Sequence, residues 1–104
     1  MAWEAKKLSQ AALSASVVAQ VTGAALKTTQ ISEIWLANTG TTPRTVTLYV
    51  HGNAAANMVA VIPVAGSGSV IIQDLKIILA AGQILYAKQD VGTDITMTNY
   101  GGDE

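Results

Sequence analysis

No cysteine occurs in the chain. That excludes disulfides and thiolate metal sites, and it leaves the redox compartment open. Phenylalanine is absent too, and two Trp and three Tyr are the whole aromatic complement apart from one His. A core must therefore be filled with Val, Ile, Leu, Ala and Met. Charge is also scarce: 12% of the 104 residues are Asp, Glu, Lys or Arg, about half the usual share of a globular domain. The surface is then Thr, Ser, Asn, Gln and Gly, or it is covered by another subunit. Low charge of this kind points toward oligomerisation or burial in an assembly. The Lys and Arg residues are scattered and the net charge is −1. Clustered positive charge, which nucleic-acid binding needs to displace counterions, is missing, so no nucleic-acid partner is expected.

Two long uncharged stretches raise the question of a membrane. Leu8–Leu26 follows Lys6 and Lys7 as the apolar part of a signal peptide would. Glu4 beside the lysines, and Ser9, Gln10, Ser14, Ser16 and Gln20 within the run, argue against that. Ala54–Ile72 is broken by Asn57, Pro63, Gly66 and Gly68, a density of breakers that a lipid-spanning helix does not tolerate unaided. No membrane partner is expected.

What is present is alternation. In Ile34–Val50, Ile34 and Leu36 fall on one face of a first run, and Val46, Leu48 and Val50 on one face of a second. Trp35, Thr45, Thr47, Tyr49 and His51 fall between them. Period two is the signature of a half-buried strand. The centre, Asn38-Thr-Gly-Thr-Thr-Pro-Arg44, is rich in turn formers. A direct hairpin would set Leu36 opposite Leu48, Trp35 opposite Tyr49 and Glu33 opposite His51. A crossover between two sheets would instead place Trp35 and Tyr49 on opposite outer faces. The reverse facing would turn Trp35 inward and Ile34 outward.

Further strands are expected at Ala15–Thr22, Thr28–Asn38, Thr45–Gly52, Met58–Pro63, Ser69–Leu75, Gln83–Gln89 and Thr93–Tyr100, with a short apolar run at Lys76–Leu79. Pro63 confines its strand to an edge or an end. Turn signals recur about every ten residues, which indicates an all-β sandwich or barrel. The expected fold is a single small antiparallel β-sandwich, jelly-roll or Ig-like, of about seven or eight strands. Residues 1–12 are read as an N-terminal arm and 13–104 as the sandwich domain. The arm lies on its own domain or docks on a neighbour with Trp3 as anchor.

No catalytic set emerges. His51 is the only histidine and has no second ligand at a metal-binding spacing, so it reads as a solvated strand residue. Gly66-Ser-Gly-Ser69 is followed by strand-like Val-Ile-Ile, not by the helix that a phosphate cradle needs. Asp90 and Asp94 flank Gly92 without EF-hand spacing and read as turn formers. No cofactor, no metal and no enzymatic activity are expected. Trp35, Tyr49 and Tyr86 are candidates for one outer face, where exposed aromatics stack on sugars or, more often, pack on a neighbouring subunit. Trp3, Lys6, Lys7, Trp35 and Tyr49 are the candidate interface residues.

Four segments taken together carry a resemblance: Ile34-Trp-Leu-Ala-Asn-Thr-Gly40, Thr45-Val-Thr-Leu-Tyr-Val50, Leu79-Ala-Ala-Gly-Gln-Ile84 and Ile95-Thr-Met-Thr98. In this order the chain resembles a family of small virion proteins of tailed bacteriophages over roughly residues 15–101. It departs from them in Met1–Ala12, and in Leu26-Lys-Thr where the family often has a Pro-Ala-Gly turn. The resemblance implies a compact, non-enzymatic β-sandwich built into the virion, as a capsid decoration or cement protein or as a tail, baseplate or fibre component. The implied partners are the major capsid protein or other virion subunits, and further copies of the chain, a trimer foremost.

Overall fold

The structure, a computed structural model, describes residues 4–104. These form nine strands: β1 (Glu4–Ala12), β2 (Val18–Thr22), β3 (Thr29–Asn38), β4 (Arg44–Val50), β5 (Met58–Val64), β6 (Ser69–Ile72), β7 (Ile77–Leu79), β8 (Ile84–Gln89) and β9 (Ile95–Asp103). A single short 3-10 turn, Ala55–Asn57, precedes β5. One sheet has the order β1-β9-β3-β6, with β7 sharing the β6 edge of β3. The other has the order β2-β8-β4-β5. All pairings are antiparallel.

Taken as one interrupted strand, β6 and β7 complete a simple scheme. β4 pairs with β5, β3 with β6 and β7, β2 with β8, and β1 with β9. These are the pairs of a single ribbon folded at its midpoint. Rolling that ribbon brings β9 onto β3 and β8 onto β4. The product is the two-sheet jelly roll. Ile34–Val50 is accordingly a crossover, since β3 lies in one sheet and β4 in the other. The corner is held by Asn38, whose Nδ2 donates to the Thr42 carbonyl at 2.8 Å while its Oδ1 accepts from the Gly40 amide at 2.9 Å.

The alternation read from sequence sets the core. Ile34, Leu36 and Met97 face Val46, Leu48, Leu85 and Ala87 across the sandwich, and all are buried. Ile31 is buried as well, although three residues from Ile34 it belongs on the opposite face of a regular strand. A bulge at Ser32–Glu33 resolves this by shifting the register against β9 between Ile31 and Glu33. The same irregularity divides the strand on the other side. β7 pairs with β3 up to Ile31, β6 pairs from Ile34, and the Leu75 amide donates to the Ser32 carbonyl at 2.9 Å between them. The strand expected over Ser69–Leu75 therefore stops at Ile72.

Two further expectations need correction. From Glu4 on, the N-terminal segment lies on its own domain, one of its two expected placements, but as the edge strand β1 hydrogen-bonded along β9, so it is continuous with the sandwich. A bulge between Lys7 and Ser9 breaks its period, and only Leu8 packs against the core, so no alternation was there to read. The last strand runs past Tyr100 to Asp103. At Gly101 a β-carbon would strike the Gln30 carbonyl of β3, so glycine is what lets these strands approach.

The facing of β3 is testable by substitution. Leu36→Ala is expected to lower the unfolding free energy by about 2–5 kcal/mol. Ala37→Ser, on the exposed face, should change it by less than about 0.5 kcal/mol. Urea unfolding at constant m-value measures both, and equal losses would contradict the inward facing of Leu36.

Candidate functional site

Of the candidate interface residues that the structure describes, Lys7 and Trp35 share one outer face and Tyr49 lies on the other. Trp3 lies outside the described residues. Lys6 pairs with Asp103 at 3.2 Å, and Lys27 approaches the same carboxylate at 3.6 Å. Lys7 is exposed on the outer face of the β1-β9-β3-β6 sheet, opposite Tyr100. Trp35 is on that face too, 43% exposed, and Tyr100 meets it in a T-shaped contact with centroids 5.6 Å apart. The Trp35 indole Nε1 donates to the Glu33 carboxylate. Tyr49 is on the outer face of the other sheet, opposite Tyr86 and beside Met58, and is only 5% exposed. Of the two arrangements open from the sequence, the crossover is the one found: β3 and β4 lie in different sheets, leaving Trp35 with Tyr100 on one outer face and Tyr49 with Tyr86 on the other.

The most distinctive surface is one flank of the sandwich. Between His51 and Asp74 the sequence has no Asp, Glu, Lys or Arg. This stretch supplies β5 and β6, the outer strands of the two sheets among the described residues. Val59 and Val61 are 57% and 58% exposed, and Met58 and Ile71 nearly half. A bulge sets Met58 and Val59 together against Tyr49. The backbone of β5 is also open. Thr45 accepts from the Asp90 amide at 2.9 Å, so it turns its polar groups toward β8. Pro63 opposite Thr45, and Val61 two residues earlier, therefore turn theirs to the free edge. Lacking an N–H, Pro63 blunts that edge at one point. Edge strands of soluble domains are usually guarded by charge, and β5 has none. The opposite flank, β1 and β2, carries Lys6 and Lys7.

The polar groups singled out for chemistry are absorbed by structure. His51 is exposed, with φ +69°, and its Nε2 lies 3.0 Å from the Ile78 carbonyl, linking the two sheets at one end. Gly66-Ser-Gly-Ser69 is a turn in which the Ser67 amide donates to the Gly40 carbonyl at 2.7 Å. Asp90 accepts from the Val91 amide at 2.9 Å within its own turn. Among the described residues no three His, Asp or Glu side chains gather as metal ligands, and no helix is long and apolar enough to cross a membrane.

Asp94 is the centre of a network at the sandwich end. Its Oδ1 accepts from Arg44 Nε at 3.3 Å and Gln89 Nε2 at 3.2 Å, and its carbonyl accepts from the Thr39 amide and hydroxyl at 2.9 Å. Gln89, fully buried, also accepts from the Ile95 amide at 2.9 Å. The Arg44 guanidinium, helped by Gln89 and opposed by desolvation, holds the Asp94 carboxyl below its ordinary value.

Sequence reasoning missed Tyr100, Glu33 and the β5–β6 flank. The missing charge of the flank was visible, but it pointed first to a membrane question, because strand order is not written in composition.

A pH titration tests the Asp94 network. A carboxyl whose folded pKa is depressed stabilises the fold above its unfolded pKa, and that stability is lost as pH falls through the folded value. Melting temperature is expected to decline below about pH 4, and Asp94→Asn should flatten that part of the profile. Superimposable profiles would refute the assignment. Compared with known proteins, the chain matches no family model, no curated protein and no solved structure.

Proposed function

We propose that the protein is a non-enzymatic structural subunit of a bacteriophage virion, foremost a capsid decoration protein that stabilises the head through subunit contacts. The four sequence segments supply the virion context. The observation that carries the mode of action is the uncharged flank of β5 and β6, where Met58, Val59 and Val61 are exposed on the outer side of one sheet and Ile71, opposite Trp35, on that of the other. Such a flank gains by being removed from water, at about 25 cal/mol per Å² before the costs of association. The free backbone groups of β5 add directional bonds to a neighbouring strand. Partners on this reading are the major capsid protein or other virion subunits, and further copies of the chain.

A second reading, a tail, baseplate or fibre component that binds a host glycan, is favoured by the Trp35–Tyr100 pair with its carboxylate neighbour Glu33. The jelly roll occurs in both capsid and lectin domains, so the fold by itself supports the two equally.

The first reading is tested by adding purified protein to capsids that lack it. Wild type is expected to bind and to raise the temperature at which the capsids come apart. A Val59→Lys, Val61→Lys double variant, with unchanged melting temperature, should lose at least about tenfold in affinity, since each charge would be buried unpaired. A wild-type chain that remains monomeric and ignores such capsids would end this reading.

A further inference from the structure

The bulge in β3 leaves a depression on either side of itself, on the outer face of the β1-β9-β3-β6 sheet. One, of about 410 Å³, is lined by Ala5, Lys6, Ser32, Glu33, Tyr100 and Gly101. The other, of about 530 Å³, is lined by Gln30, Ser32, Glu33 and the connection from Gln73 to Lys76. Ser32 and Glu33 line both, so the two depressions adjoin along the bulge and are taken together as a groove. Both are open to solvent, so a ligand would lie along the surface and not be enclosed. The first depression has a cause in sequence: Ala5 of β1 and Gly101 of β9 line it without large side chains.

We propose that this groove binds a saccharide without net negative charge. The proposal names the ligand class for the second reading of function and rests on that reading. Sugar hydroxyls donate and accept together, and they are matched by planar groups that offer both or accept in pairs. Gln30, Gln73, Glu33 and Asp74 are such groups. Glu33 is held in place by the Trp35 indole, and a carboxylate with one donor bound still has free acceptor sites. The amphipathic ring of Tyr100 forms part of the wall, steadied by its edge contact with Trp35, and suits the apolar face of a sugar ring. The far wall is pinned by the Leu75 amide on the Ser32 carbonyl at 2.9 Å, which lowers the ordering cost of binding. Other classes fit less well. An anion would meet two carboxylates, Glu33 and Asp74, against the one lining cation Lys76, since Lys6 is already paired with Asp103 at 3.2 Å. A lipid would meet the carboxylates Glu33 and Asp74 and the amides Gln30 and Gln73.

The test uses the full chain carrying Trp3→Phe, so that fluorescence reports Trp35 alone. It is applied to an array of immobilised bacterial O-antigen and capsular oligosaccharides, and the strongest binder is then titrated in solution with backbone amide shifts recorded. The expected result is a saturable change in Trp35 emission with shifts centred on Ser32, Glu33 and Tyr100. Glu33→Gln and Tyr100→Ala should each weaken binding by about tenfold or more, and Lys88→Ala, on the opposite sheet, should leave it unchanged. Unfolding midpoints are measured in parallel, and if Tyr100→Ala does not fold, Glu33→Gln decides. A blank array, or binding indifferent to Glu33→Gln, overturns the site. A blank array with the protein labelled on the tail overturns the groove alone, whereas a blank array with labelling on the head removes the second reading as well.

Discussion

β3 must turn Ile31 and Ile34 to the same side, and a regular strand cannot do so. The Ser32–Glu33 bulge is the answer, and the neighbouring elements adjust to it. β9 shifts its register there. The strand on the other side breaks into β6 and β7, with Asp74 in the left-handed region at φ +58° where the chain turns out of line. Because β3 is an inner strand of its sheet, this one insertion shapes both of its neighbours. It keeps the core continuous on the inside and opens the groove on the outside.

The strands with clean alternation were legible in the sequence. β3, β4, β5, β8 and β9 appear where Ile34, Leu48, Ile62, Leu85 and Met97 recur at period two, because each has one face in the core and one outside. β1 was not legible. It is an edge strand whose neighbour lies on one side only, and most of its side chains are exposed, so burial imposed no pattern on it. Sheet membership was not legible either. The facing of Trp35 and Tyr49 follows from local period, but whether they share a face depends on β3 pairing with β9, a partner more than sixty residues away for Trp35 and Thr98. Tyr49 and Thr47 show a further limit: both point outward yet are buried, because Tyr86, Met58, Lys88 and Val61 lie beside them.

The scarcity of charge looks different once it is placed on the fold. It is not spread evenly. Lys6 and Lys27 meet at Asp103 and Arg44 meets Asp94, while Glu33 and Lys88 stand on the inner strands β3 and β8. The β5–β6 side carries none between Gly52 and Gln73. A molecule with one guarded flank and one bare flank has a preferred direction of association.

The midpoint-folded ribbon also bears on how the chain finds its structure. β4 and β5 pair residues close in sequence, Leu48 with Ala60 for example, whereas β1 and β9 join Glu4 to Asp103. Formed first from a disordered chain, the outer pair would close a loop of nearly the whole molecule. Formed after the inner pairs, it closes only the short segments beyond them. Because closure entropy rises with the length of free chain enclosed, the order of least cost runs from the central hairpin outward. The many distant pairings still make this a slow topology for its size.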